Sequence, residues 1–201
     1  MEISTIQIVS GDCIKITIST GLSFFLRTIY LQNFPLNRLA VGESLTEEDY
    51  ADLQRAGLAF AAEHDALNYL ARAEQCKYIL TGKLLKKKHL KESIDTALRY
   101  LEKKKYLSDS RFAEAWLRNR KITKAEGRQK LAASLAQKGI SREVIQHALD
   151  AFFEYTSEEE LFERAVLKLK RLGKKDEKLQ KALLRAGFPW SLIKHIKNDL
   201  N

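Results

Sequence analysis

The sequence predicts a mainly α-helical protein, with tandem three-helix repeats in an elongated, curved array that follows a small N-terminal antiparallel β-meander. Two observations support this fold class. Apolar residues alternate with polar ones over the first 27 residues, whereas helical spacing prevails from about residue 47 onward. In addition, one helix–turn–helix pattern occurs three times in the helical part, as in repeat architectures.

The N-terminal segment has the two-residue period of β-strands. Residues 10–12 and 20–21, which contain Gly11 and Gly21, separate three sets of alternating apolar residues. These sets are Ile6 and Ile8, then Ile14, Ile16 and Ile18, then Leu22, Phe24 and Leu26. Because side chains alternate between the faces of a strand, each strand would present one apolar face, and glycine suits the turns. A three-stranded meander, followed by a loop around Pro35, is therefore expected within residues 1–45.

Capping residues indicate where helices begin. Thr46, which precedes three acidic residues, is predicted to cap a connecting helix that falls within residues 46–65. Thr123 and Ser157 each start an S/T-x-x-E capping box, and Pro189 suits a first helical position. The sequence therefore predicts helix starts near each of these residues.

A further helix is predicted to start at Asp109, whose carboxylate would accept backbone N–H groups as an N-cap. Phe112 and Trp116 are four residues apart and would share the buried face of this helix. Packing therefore explains both aromatic side chains without a ligand.

The repeated pattern joins two helices through a short turn. Three stretches superimpose without gaps, LLKKKHLKESIDTA from residue 84, LAQKGISREVIQHA from residue 135 and LLRAGFPWSLIKHI from residue 183. Gly139 and Gly187 occupy the position after the first helix, where a left-handed backbone is common. Lys88 replaces glycine in the first copy and would need strain or an altered cap.

Another amphipathic segment precedes each joint, so each repeat would contain three helices. The predicted repeats cover residues 66–108, 109–156 and 157–201. A unit of about 40 residues buries little apolar surface, so neighbouring repeats must stack to share a core.

Charge is distributed unevenly along the chain, whose formal net charge is +9. Residues 1–65 hold four Lys and Arg against nine Asp and Glu, whereas residues 66–201 hold 31 against 17. A basic helical array suggests a polyanionic partner. Lysine-rich faces that serve solubility alone remain an alternative.

The densest basic group lies in the second predicted repeat and is our candidate for partner or DNA binding. It comprises Arg118, Arg120, Lys121, Lys124, Arg128 and Lys130. Further basic runs are residues 86–88, residues 103–105, and the set Arg164, Lys168, Lys170, Arg171, Lys174 and Lys175. The two lysine runs could equally be solvated helix ends. If these groups neutralise phosphates, binding would depend strongly on salt and little on base sequence.

The sequence contains no nucleophile–base pair, glycine-rich phosphate loop or carboxylate–metal cluster. We therefore expect a non-enzyme with no catalytic residue, no cofactor and no metal site. Cys13 and Cys76 are far apart and outside any C-x-x-C pair, which argues against a disulfide framework or a zinc module. Without a leader-like N-terminus or an apolar run of about 18 residues, a cytoplasmic protein with no membrane association is expected.

One stretch of the second repeat resembles the signature of a known family. Residues 106–120 read YLSDSRFAEAWLRNR, residues 127–131 read GRQKL, and residues 138–140 read KGI. These motifs resemble the RecX family, and the resemblance covers about residues 66–201. The N-terminal meander is similar to an extension present in some members. Cys76, Ile79 and Ser134 depart from the family pattern, and so does Arg128.

The resemblance implies a regulator that binds the RecA recombinase or a RecA–DNA filament and restrains filament growth and recombination. The protein would lodge in the filament groove as a monomer, and any contact with single-stranded or duplex DNA would be weak and non-specific. Two alternatives stay open. The chain could be a helical-repeat nucleic-acid-binding protein that acts independently of RecA, or an enzyme subunit or scaffold whose charge serves solubility.

Overall fold

The computed structural model describes residues 1–194 and 196, and the chain divides into two compact units at residues 107 and 108. The first unit contains strands β1 (Ile3–Ser10), β2 (Cys13–Ile18) and β3 (Ser23–Arg27), and then helices α1 (Glu47–Leu70), α2 (Lys77–Lys86) and α3 (Lys91–Lys103). Two single 3₁₀ turns, Thr28–Tyr30 and Leu36–Arg38, lie between β3 and α1. The predicted class, mainly helical with a small antiparallel N-terminal sheet, is confirmed.

The second unit is helical throughout its described part. Its helices are α4 (Asp109–Thr123), α5 (Arg128–Ala136), α6 (Arg142–Glu154), α7 (Glu158–Arg171), α8 (Asp176–Arg185) and α9 (Trp190–Ile193). The division into a head, a connecting helix and three repeats stays a prediction, and residues 195 and 197–201 of the third repeat lie outside the described residues. The predicted boundary after residue 65 falls inside the continuous helix α1.

The sheet has the predicted order β1-β2-β3, with antiparallel pairing throughout. Ile16 is opposite Ile6 on one side and Phe24 on the other, and it is fully buried. The first strand departs from simple alternation because its register shifts between Ile3 and Thr5. This shift brings Ile3 into the core, whereas Ile8 is 75% exposed.

A buried carboxylate ties the sheet to α1. Glu63, only 1% exposed, accepts hydrogen bonds from the Nε and Nη2 atoms of Arg27 at 2.6–2.9 Å and from the Tyr30 hydroxyl at 2.6 Å. Arg27 also reaches Asp12 at 2.7 Å and lies 4.5 Å from the centre of the Tyr100 ring. Burial and the hydrogen bond to Glu63 raise the pKa of Tyr30. One arginine thus connects β3 with α1 and α3.

A second buried carboxylate fixes the loop that follows the sheet. The Oδ2 atom of Asp52 accepts the backbone N–H groups of Gln32, Asn33 and Phe34, each at 2.9 Å. Burial alone would raise the pKa of Asp52, but these three hydrogen bonds and the nearby Arg55 outweigh it and lower that pKa. The ionised side chain therefore anchors the loop on α1.

Three joints between helices have the same backbone geometry. A residue two or three positions beyond the helix end is left-handed in each, with φ of 67° at Lys88, 76° at Gly139 and 85° at Gly187. The carbonyls of Leu84, Leu135 and Leu183 then accept the N–H group five residues later at 3.2–3.3 Å, as in a Schellman motif. The glycine prediction is confirmed, and the lysine of the first joint takes the glycine conformation.

The first joint has a side-chain anchor that accompanies this strained lysine. Asp65 of α1 accepts Nζ of Lys87 at 2.7 Å and lies 2.7 Å from Nε2 of His89, the two neighbours of Lys88. Hydrogen bonds from Lys87 and then from His89 lower the pKa of Asp65. A left-handed non-glycine residue costs about 1–2 kcal/mol, which these contacts offset.

Two of the predicted caps are confirmed. Thr46 accepts the N–H group of Asp49 at 3.1 Å and receives the reciprocal bond of a capping box. Ser157 accepts the N–H group of Glu160 at 3.2 Å.

The other predicted helix starts are displaced. Ser108 caps α4 and Asp109 is its first residue, while Pro189 is the N-cap of α9 and not its first residue. The predicted start at Thr123 is wrong, because α4 continues through this residue and its hydroxyl donates to the carbonyl of Asn119 at 3.0 Å. Gly127 is the N-cap of α5 instead.

Two glycines bring backbones into direct contact in the second unit. The N–H group of Gly127 donates to the carbonyl of Ala186 at 2.9 Å. A Cβ atom on Gly127 would lie 2.4 Å from the carbonyl oxygen of Gly187, and a Cβ atom on Gly187 would lie 2.3 Å from the backbone nitrogen of Lys130. This contact locks the start of α5 to the joint between α8 and α9.

The first prediction separates close packing from backbone strain. Gly187→Ala should lower the free energy of unfolding by about 1–3 kcal/mol more than Gly173→Ala, because a methyl group at residue 187 collides with backbone. Both glycines are left-handed, with φ of 85° and 75°, but no atom lies within 4 Å of a Cβ placed on Gly173. Denaturant titration of both variants measures the difference, and equal losses would show that the contact is not tight.

The second prediction concerns pH. Asp52→Asn should destabilise the protein by about 2–3 kcal/mol at neutral pH, because a buried charged acceptor of three N–H groups is lost. The lowered pKa means that the Asp52 contribution is present above the ordinary value of 3.8 and fades as pH falls through the folded value. The stability gap between wild type and variant should therefore narrow on acidification. Asp95→Asn, which removes a surface carboxylate paired with Lys91, is the control. A gap that is independent of pH would contradict the assignment.

Candidate functional site

Helix α4 carries the first part of the predicted basic site and is held in place by one apolar face. Phe112, Ala113 and Leu117 are buried on that face, as expected for Phe112. Trp116 is only partly buried, and its ring lies 5.2 Å from the guanidinium of Arg120 and 5.7 Å from Nζ of Lys138. Trp116 is thus less buried than the core position that the sequence predicted, because its indole packs against two cations as well as against the core.

Arg120 is committed to a contact within the fold. Its Nε and Nη2 atoms donate to the two carboxylate oxygens of Glu126 at 2.6 and 2.9 Å, while the guanidinium stacks on Trp116. This bidentate pair ties the segment before α5 back to α4. The side chain is therefore a structural element of the basic region.

Lys121 and Arg128 also have partners inside the second unit. Nζ of Lys121 donates to the hydroxyl of Thr156 at 3.1 Å. Arg128 forms an ion pair with Asp150, lies 5.5 Å from the ring centre of Phe153, and lowers the pKa of Asp150 through its hydrogen bond. Lys121 thus links α4 to the segment between α6 and α7, and Arg128 links α5 to α6.

The remaining three predicted residues point into solvent. The side chain of Arg118 is 70% exposed and only loosely paired, with its Nη1 atom 4.0 Å from Glu114. Lys124 and Lys130 are exposed and form no ion pair with any described residue. The six predicted side chains therefore form two groups, three that join elements and three that are available to a partner.

The structure brings Lys124 next to three cations of α7 that the sequence placed in a separate basic run. Lys124, Arg164, Lys168 and Arg171 line one groove of about 540 Å³ at the end of α4, which we name the basic groove. All charged side chains that line it are basic. The spacing of residues 164, 168 and 171, which puts them on one helical face, was the available signal for this grouping.

This arrangement of exposed cations suits an anionic partner. Exposed cations attract phosphates or carboxylates over distances of about 10 Å at moderate salt. Over the described ranges, no helix is both long and apolar enough to cross a lipid bilayer. The geometry is that of an exposed basic surface on a helical scaffold.

Comparisons with known proteins relate this chain to one family. A family model described as RecX, second three-helix domain, matches residues 108–149. The regulatory protein RecX of Treponema pallidum (strain Nichols) is 36% identical over 154 residues, which cover 77% of this chain and 94% of that protein. The regulatory protein RecX of Clostridium tetani is 26% identical over 171 residues, 82% of this chain and 78% of that protein.

Solved structures have the same fold. A crystal structure of regulatory protein RecX aligns with a TM-score of 0.77 at 24% identity and covers 98% of both chains. RecX from Lactobacillus salivarius aligns with a TM-score of 0.57 at 23% identity, over 71% of this chain and 96% of that one.

The third prediction tests the division of the basic residues. Arg120→Ser should reduce stability by about 1–2 kcal/mol, because it leaves Glu126 without its bidentate partner. Arg118→Ser should change stability by less than about 0.5 kcal/mol, because its ion pair is exposed and long. Thermal and denaturant unfolding measure the stability of both variants. If Arg120→Ser is as stable as Arg118→Ser, the contact of Arg120 with Glu126 contributes nothing to the stability of the fold.

Proposed function

The chain belongs to the RecX family, and from this membership we propose that it binds a RecA recombinase filament on DNA and restrains filament growth and recombination. The relatives are regulatory proteins by name, and a regulatory role is the starting point of this proposal. One observation carries it further. The second unit presents Arg118, Lys124 and Lys130 to solvent, while neighbouring cations are bound internally.

The proposed mechanism is steric and electrostatic. Exposed cations guide the protein to a nucleoprotein filament, whose DNA carries closely spaced phosphates. The backbone contact between Gly127 and Gly187 makes the second unit stiff at this point, so a bound unit resists the movements or additions of protomers that filament growth requires. ATP is hydrolysed by the partner alone, and this chain contributes no catalysis or cofactor.

The remaining parts of the proposal follow from this partner. The chain acts as a monomer in the cytoplasm, where RecA filaments assemble, and meets DNA weakly and without sequence preference. Independent DNA reading through the helix–turn–helix joint has less support, because α6 after the second joint carries Glu143 and Glu154. These acidic residues would repel phosphates beside a groove.

The fourth prediction uses the outward-facing cations. The triple variant Arg118→Ser, Lys124→Ser and Lys130→Ser should bind RecA–DNA filaments at least about tenfold more weakly than wild type. Its affinity should also depend less on salt, because fewer phosphate contacts mean that fewer counterions are released on binding. Co-sedimentation at two salt concentrations measures both quantities.

A matched control separates position from total charge. Arg99→Ser, Lys178→Ser and Arg185→Ser remove the same charge from exposed residues outside the basic runs. The control should bind like wild type. If both triple variants bind filaments equally weakly, the loss of affinity is an effect of net charge. If the affinity of the variant at residues 118, 124 and 130 keeps the salt dependence of wild type, the contact with the filament lies elsewhere. No binding of the wild type to filaments would refute the proposed function itself.

A further inference from the structure

The basic groove contains two leucines as well as its four cations. Leu167 and Leu172, which line it beside Lys168 and Arg171, are 57% and 67% exposed. Ile122, in the last turn of α4 next to the groove, is exposed as well. Apolar side chains grouped with arginines at a surface are typical of protein-binding sites.

The cations of the groove are placed for carboxylates. Nη1 of Arg164 donates to the backbone carbonyl of Lys121 at 3.0 Å, which orients the planar guanidinium at the groove. Lys168 and Arg171 are exposed on the same face of α7 and have no ion pair with any described residue. The acidic residues of α7 are confined to its first two turns, away from the end that lines the groove. A negatively charged occupant would therefore meet basic groups only.

The composition of the groove favours a peptide over a nucleic acid. Nucleic-acid interfaces are more polar than protein interfaces, and single strands bind through aromatic side chains that stack on bases. The lining residues of the basic groove include two exposed leucines and no aromatic side chain. Leucine side chains make no favourable polar contact with a phosphate backbone. They can, however, pack against an apolar side chain that lies between carboxylates in a peptide.

We propose that the basic groove binds an acidic peptide segment of a partner protein, with carboxylates on Lys124, Arg164, Lys168 and Arg171 and an apolar side chain against Leu167 and Leu172. The arginines offer bidentate contacts to Asp or Glu, and the leucines select segments with an apolar residue among the acids. This inference does not depend on the filament proposal, since it requires only the chemistry of the segment.

The experiment measures binding of a labelled synthetic peptide of alternating acidic residues and leucines to the full chain by fluorescence anisotropy. The variant Arg164→Gln, Lys168→Gln and Arg171→Gln should weaken binding at least about tenfold. The variant Leu167→Ser and Leu172→Ser, which keeps all charges, should weaken binding severalfold. The matched control Arg99→Gln, Lys178→Gln and Arg185→Gln, at exposed residues outside the basic runs, should bind the peptide like wild type.

Two further probes identify the class of ligand. A peptide with serine in place of leucine should bind wild type more weakly than the leucine-containing peptide does. The serine peptide should also have the same affinity for wild type as for the variant Leu167→Ser and Leu172→Ser. A single-stranded oligonucleotide of equal charge should be insensitive to the leucine variant. If the oligonucleotide binds more tightly than the peptide and loses affinity with the three groove cations, the groove is a nucleic-acid site and the proposal is overturned.

Other outcomes also overturn it. If wild type, the groove variants and the control all bind the peptide with the same affinity, the groove is not the peptide site. Groove variants that lose helicity in proportion to binding would show that the cations serve the negative ends of α4 and α7. Filament co-sedimentation of wild type separates this inference from the proposed function. If filaments bind and the peptide does not, the inference alone fails, and if the peptide binds and filaments do not, the proposed function alone fails.

Discussion

Among the described residues, a left-handed residue follows the helix and sets the direction of the next helix at each of the three repeated joints, and Lys105 and Gly173 do the same after α3 and α7. At Lys88, Gly139 and Gly187 the chain turns back, and the following N–H group satisfies a leucine carbonyl that the helix leaves open. The joints therefore depend on the backbone conformation of one residue. Glycine provides it freely in two joints, while the lysine joint is accompanied by contacts of its neighbours with Asp65.

The third joint carries a second constraint. Gly187 has a left-handed backbone and also lies directly against the α5 backbone. Glycine is therefore required at this position both for its conformation and because a Cβ atom would collide with α5. The sequence revealed the first requirement through the spacing of repeated leucines and glycines. It could not reveal the second, because the close approach of Gly127 and Gly187 joins residues 60 positions apart that have no side chains to signal it.

Local patterns predicted the strands, the joints and the caps at Thr46 and Ser157, since each depends on neighbouring residues. Prediction failed where two nearby groups compete for the same side chain. Thr123 has the spacing of a capping box, but its hydroxyl bonds back to Asn119 inside the helix. Arg120 belongs to a basic run in sequence, yet Glu126 and Trp116 occupy its guanidinium. Charge density along the chain therefore identified the region and could not distinguish structural cations from exposed ones.

The two units use their cations differently, and this difference concentrates positive charge where a partner can reach it. Residues 1–107 hold 15 Lys and Arg against 13 Asp and Glu, and Arg27 is drawn inside by Glu63 and Asp12. Residues 108–201 hold 20 against 13, so cations outnumber the carboxylates that could neutralise them. Because the joints of the second unit rest on backbone hydrogen bonds and glycines, folding does not require these surplus side chains. Their positive charge is consequently exposed, and in the basic groove it adjoins two exposed leucines, which gives this part of the surface both charged and apolar character.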